Sequence, residues 1–277
     1  MEISTFRGPE EKDEGPFENF GTPEEDAKRR DLTINALFYD PFRDEILDYV
    51  QGLEDLKRGI IRIIGEPNRR YRQDPVRMLR VIRHAARTGF EIEEKTWQSL
   101  LELKSLIKTV PKERLRDEIL KDISGFWITR WFQLLKKSGL LYEIYPFYAS
   151  LEKSSNFSEK FLFRLLKGIE KSQFALEQRL TLFSFAFLPL IQRTYFPEQR
   201  GSMPVFEREE LLKLFWALFF TFRFQRSLFE KTMDMLRDLY KILYMKLKGK
   251  DIPKRFRKKP YYPELIPMLD VILKIKL

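Results

Sequence analysis

Apolar residues change their period along this chain, and the change divides it. Residues 2–6, Glu-Ile-Ser-Thr-Phe, alternate and favour β structure, which predicts a strand at the start. Gly8 to Gly21 holds two Gly-Pro steps and an acidic run, the composition of a surface loop. Thr22-Pro23-Glu24-Glu25 has the capping-box order of N-cap Thr, Pro at the first helical position and Glu at the third, so a short helix should run through Arg29. Leu32–Tyr39 returns to β character, and Asp40-Pro41-Phe42-Arg43-Asp44 turns into a second extended run, Glu45–Val50.

Beyond Gly52 the pattern becomes helical and is expected to stay so. Asp74-Pro75 should open a long helix, with Asp74 as N-cap and Gly89 as its stop. At about 100° per residue, Arg77, Arg80, Arg83, His84 and Arg87 share a polar face, while Met78, Leu79, Val81, Ile82, Ala85 and Ala86 take the core side. From Thr96 onward apolar residues recur three and four apart, predicting a helical body with joints near 153–158 and 197–204. The Phe residues between Phe157 and Phe224 read as core.

Composition removes several kinds of chemistry. The 277 residues include no Cys and a single His, so thiolate metal sites, disulfides and His-rich metal centres are excluded. What remains is carboxylate, Arg/Lys and hydroxyl chemistry. Lys and Arg number 51 against 41 Asp and Glu, a formal charge of +10, and the stretch from Tyr244 to Leu277 alone contributes +7. Such a segment suits a phosphate-backbone binder or a solubilising tail, and composition does not choose between them. The longest apolar runs are too short to span a membrane, and the first residues lack the apolar core of a signal peptide, which points to the cytoplasm.

The segment Glu18–Phe90 carries the chemistry. Arg29-Arg30-Asp31-Leu32-Thr33-Ile34-Asn35-Ala36-Leu37, Asp48-Tyr49-Val50 with Gly52-Leu53-Glu54-Asp55-Leu56, and Gln73-Asp74-Pro75-Val76-Arg77 occur in that order. Together they resemble the class II nucleotidyltransferases, the polymerase-beta-like branch that contains bacterial poly(A) polymerases and CCA-adding enzymes. Phe20-Gly21-Thr22-Pro23-Glu24-Glu25-Asp26-Ala27 and Asp74–Arg80 lean towards the poly(A) side. The resemblance implies a mostly α protein: a small α/β remnant of a nucleotidyltransferase head over residues 1–66, a helical neck over 67–150 that recognises the base, and a helical body with a basic tail over 151–277 that binds RNA.

It also implies roles. Arg30, Asp31 and Asn35 would contact ribose and phosphates of ATP, and Asp74 with Arg77 would read the base. The pair stands three apart, an acceptor beside a donor fork, which matches the adenine edge. Cytosine offers the same order, so poly(A) and CCA activity both stay open. Asp74 as a plain N-cap and Arg77 as a solvated residue fit the spacing as well. The family has a carboxylate where this chain has Gln73, which predicts a less firmly aimed Arg77. Arg80, Arg83 and Arg87, and Lys254, Arg255, Arg257, Lys258 and Lys259, are the implied contacts to RNA or triphosphate. His84 reads either as a structural histidine or as an RNA contact.

Nucleotidyl transfer in the family uses paired carboxylates holding Mg²⁺, and no Asp-x-Asp occurs in this sequence. Glu2 is then the candidate catalytic carboxylate, without its two companions. The expectation is a chain inactive by itself: a split enzyme whose separate partner chain supplies the missing strands, or an RNA-binding remnant.

Overall fold

The computed structural model describes residues 5–8, 20–153, 159–195 and 225–275, with backbone alone at 151 and 188–195. Glu2, most of the first predicted strand, the acidic loop and most of both predicted joints lie outside the described residues. The chain divides into two compact units, residues 1–110 with 134–143 and residues 111–133 with 144–277.

In the first unit the capping box forms as expected. Helix α1 (Pro23–Arg29) starts with Thr22 accepting from the Glu25 backbone N–H and Glu25 accepting from that of Thr22. The predicted strand over 32–39 is shorter. A single 3₁₀ turn occupies Thr33–Asn35, and only then does β1 (Leu37–Asp40) pair antiparallel with β2 (Glu45–Asp48). Tertiary bonds override β propensity here: the Thr33 N–H donates to the Arg62 carbonyl and its hydroxyl to buried Asp55 at 2.7 Å.

The helical run expected beyond Gly52 is interrupted. After α2 (Gly52–Arg58), Gly59 takes a left-handed turn into β3 (Ile60–Ile61), which pairs in parallel with β4 (Glu91–Ile92). Two β-branched residues after a left-handed glycine make this local departure reasonable. Helix α3 (Pro67–Gln73) precedes α4 (Val76–Thr88), which ends at left-handed Gly89 as predicted. Asp74 closes α3 and sits one residue before the position the pattern assigned it; Pro75 flanks α4, and Asp74 Oδ1 accepts from the Val76 N–H. Helix α5 (Glu94–Leu103) and a 3₁₀ stretch, Lys104–Thr109, follow.

Met78, Leu79, Val81, Ile82, Ala85 and Ala86 are all buried on the core side of α4. Arg77 departs from the expected polar face, being only 7% exposed. From the first turn of α4 its guanidinium reaches fixed acceptors, Asp31 just beyond α1 and the Arg70 carbonyl on α3.

The second unit is helical throughout its described residues. It contains α6 (Lys112–Ser124), the start of α7 (Ile128–Ser138), α9 (Phe147–Glu152), α10 (Glu159–Glu170), α11 (Leu176–Tyr195), α12 (Arg226–Leu247), α13 (Lys254–Arg257) and α14 (Tyr262–Lys274); α8 (Leu140–Ile144) comes between α7 and α9. Helix α11 packs on α6, α10, α12 and α14. Its Phe183 and Phe187 stack edge to face at 5.2 Å, and Phe183, Phe185 and Phe187 are buried as predicted, while Phe161, Phe163 and Phe174 are half-buried; Phe132 adds to the core by meeting Tyr148 at 5.7 Å. Arg179 is buried among them, donating to the carbonyls of Phe174, Gly125 and Ser172.

Candidate nucleotide-binding site

The Arg29–Asn35 segment and α4 meet over a cleft of about 570 Å³ in the first unit. Five arginines line it, Arg7, Arg29, Arg30, Arg77 and Arg80, with Asp26 and Asp31. That excess of positive charge suits a polyanion. Phe38 stands beneath Arg30, whose guanidinium carbon lies 4.7 Å from the ring centre.

Each wall is built from local chemistry. Arg30 leaves the end of α1 with Nε on Asp26 at 3.0 Å and a terminal nitrogen on the Asn35 carbonyl at 2.9 Å. Buried Arg70 reaches from α3 to the carbonyls of Arg29 and Arg30 at 2.6 and 2.8 Å, fixing the chain just before Asp31. Arg77 Nε donates to Asp31 Oδ1 at 2.7 Å, and Arg80 donates to Oδ2. Burial opposes the Asp31 charge, but the hydrogen bonds and charges of Arg80 and Arg77 outweigh it and hold the carboxyl below its ordinary pKa.

The connector motif supports this wall from behind. Asp48 accepts from the backbone N–H groups of Val50, Gly52 and Leu53, which caps α2. Gly52 lies against Thr33, where a Cβ would stand 2.2 Å from the Thr33 carbonyl oxygen. Asp55 takes the Thr33 hydroxyl and the Arg62 guanidinium, and Arg62 also bonds Glu93. Thr33 is therefore locked between Asp31 and Asn35.

The structure thus gathers Arg30, Asp31, Asn35, Arg77 and Arg80 at one cleft. Asp74, named with Arg77 as a reader of the base, is not among the residues lining it, whereas Arg77 lines it and donates to Asp31. Arg77 is also firmly held where Gln73 implied looseness: Asp31 and the Arg70 carbonyl restrain it, while Gln73 is exposed. Arg83 is half-buried and Arg87 exposed, both outside the cleft lining. His84 approaches Asn35 and Arg87. Burial first, then Arg87 and Arg83, push its pKa down to about 4 against the pull of Asp31. Sequence spacing held no sign of the His84, Arg70 and Phe38 contacts, which join separate motifs.

In the second unit Lys254, Arg255, Arg257 and Lys258 are exposed around buried Phe256. Lys259 differs from them, its ammonium bonding buried Asp238 and the Tyr261 hydroxyl. Among the described residues no group of three or more His, Asp or Glu could hold a metal ion, and no helix is long and apolar enough to cross a membrane. Asp26 and Asp31 are committed to arginines and do not fit a Mg²⁺ pair.

Comparison with known proteins agrees with this arrangement. The family described as the poly A polymerase head domain matches residues 1–62, and one described as a probable RNA and SrmB-binding site of polymerase A matches residues 89–151. Poly(A) polymerase I of Haemophilus influenzae is 34% identical over 189 residues, covering 66% of this chain and 42% of that protein. A CCA-adding enzyme of Lactobacillus helveticus is 36% identical over 155 residues, 53% of this chain and 37% of that protein. The chain therefore spans less than half the length of these curated relatives. Among solved structures, a tRNA-processing enzyme in an apo form shares the fold with a TM-score of 0.60 at 24% identity, covering 92% of this chain and 69% of that one. The chain thus carries the head and RNA-binding segments in order, with the Arg30–Asn35 motif at the cleft, and is similar to bacterial poly(A) polymerases and CCA-adding enzymes.

Proposed function

We propose that the protein is an RNA nucleotidyltransferase of the poly(A) polymerase type, binding ATP in the Arg30–Arg77 cleft for AMP addition to an RNA 3′ end in the cytoplasm. The observation that carries the reading is the cleft itself: five arginines line it together with Asp31 and Asn35. Arginine forks suit triphosphate oxygens, and the cleft volume is ample for a nucleotide. Arg30, Asp31 and Asn35 serve the sugar and phosphates. Arg77 shapes the site by holding Asp31, with Asp74 three residues before it for the base edge. Lys254, Arg255, Arg257 and Lys258 offer exposed charge for the RNA backbone, with Arg83 and Arg87 as further contacts. The relative named a CCA-adding enzyme keeps a tRNA-directed activity as the second reading.

Mg²⁺ belongs to the family chemistry. The sequence has no Asp-x-Asp, and the remaining candidate, Glu2, lies outside the described residues. The expected behaviour of the chain alone is therefore binding of ATP and RNA without sustained extension. Labelled ATP or CTP, Mg²⁺ and an RNA primer test this, with and without a fragment carrying the Asp-x-Asp strands of a relative. Open-ended AMP addition on complementation supports the poly(A) reading. A fixed terminus on tRNA lacking CCA supports the second, and absence of ATP and RNA binding rejects both.

A further inference from the structure

Asn35 lines the cleft, and its amide lies with Nδ2 3.3 Å from His84 Nε2 on α4. On the other side of the ring, an Arg87 terminal nitrogen lies 3.2 Å from Nδ1. Proton counting decides which groups donate. Arginine has donors only, so Nδ1 must be the bare acceptor. A neutral imidazole then carries its one proton on Nε2, which must donate. The amide atom facing it is therefore the Asn35 oxygen, since an NH₂ would meet an N–H; half a turn of the amide exchanges the two ends at no cost in shape.

We propose that His84 is a positioning residue: its Nε2–H holds Asn35 Oδ1 and turns the Asn35 NH₂ into the cleft as the donor to a ribose hydroxyl oxygen of the bound nucleotide. The sugar is the fitting target because the charged donors of Arg7, Arg29 and Arg30 suit phosphate better than a neutral amide does. Each Asp31 oxygen already accepts a guanidinium, and Asn35, with Thr5 one of two neutral polar residues in the cleft lining, is the amide among them. This rests on the cleft being the nucleotide site, as proposed above.

His84 is the single histidine in the chain, so one experiment reads the ring directly. ¹⁵N-histidine NMR of the full chain near pH 7 is expected to show the proton on Nε2; a proton on Nδ1 overturns the relay. Binding of ATP, 2′-deoxy-ATP and 3′-deoxy-ATP tests its purpose. The His84→Phe variant should lose about three- to tenfold of the preference for ATP over one deoxynucleotide, the worth of one net hydrogen bond. His84→Gln, whose amide can donate from the Nε2 position, should keep it. Equal weakening of all three nucleotides by His84→Phe, or no rescue by Gln, overturns the sugar contact. If the wild-type chain binds none of the three, the nucleotide-site reading fails with that contact, while the NMR result still decides the relay.

Discussion

Arg77 Nε donates to Asp31 Oδ1 at 2.7 Å across 46 residues of sequence, joining the base of α4 to the segment that follows α1. Neither residue is exposed enough to be a surface ion pair, with side chains 8% and 19% accessible. Arg77→Gln should therefore cost about 1.5–3 kcal/mol, the range for hydrogen bonds to a charged partner. A double-mutant cycle with Asp31→Asn, followed by urea unfolding, isolates the pair; additive losses would show that the two residues act separately. Because the Asp31 pKa is depressed, its contribution is present above the unfolded value near 4 and should fade as the pH drops through the folded value.

Gly52→Ala should destabilise the first unit by about 1–3 kcal/mol, the usual cost of an added methyl in a packed site. The added Cβ would meet backbone, the Thr33 carbonyl oxygen, which has no rotamer in which to retreat. The variant should also weaken ATP binding, since Thr33 lies between Asp31 and Asn35. Calorimetric titration and thermal unfolding read both effects, and a variant with unaltered stability would refute the clamp.

His84 is held neutral, with a pKa of about 4 against an ordinary value near 6.5. The unfolded chain binds the proton more readily in that window, so wild-type stability should be intact above pH 6.5 and decline as pH falls towards 4. The groups responsible are burial, Arg87, Arg83 and Arg80, with Asp31 opposing. His84→Gln cannot titrate and should show a shallower decline. Identical urea midpoints for both proteins across the window would contradict the assignment.

Replacing Lys254, Arg255, Arg257 and Lys258 together with Gln should flatten the salt dependence of RNA binding. On a single strand the log–log slope should fall by about 0.7 for each phosphate that no longer meets a cation. Lys259→Met should behave differently: Lys259 pairs with buried Asp238, so its removal should lower the unfolding midpoint and leave the slope nearly unchanged. Filter binding over a salt series and thermal unfolding separate these outcomes.

Arg179→Met should be among the costlier single changes in the second unit. It removes the donor from the carbonyls of Phe174, Gly125 and Ser172 at once, and each buried acceptor left unmet costs about 1–3 kcal/mol before relaxation. Chemical denaturation checks this, and a stable variant would mean that the carbonyls find water.

Local sequence alone determined the elements whose stabilising groups are neighbours in the chain. The Thr22–Glu25 box, the Gly89 stop, the core face of α4 and the helical body all depend on contacts three or four residues apart, which spacing displays. The motif residues that mark the family were also legible. Tertiary structure decided what those residues touch. Leu32–Tyr39 looked like one strand until Asp55 and Arg62 drew Thr33 into a 3₁₀ turn. Arg77 looked like a solvent-facing donor until the fold presented Asp31, and Lys259 looked like one more free cation until Asp238 was buried beside it. The reason is physical: a long charged side chain is assigned by the acceptor that burial places within about 3 Å, and loop closure over tens of residues leaves no periodic trace of that acceptor in the sequence.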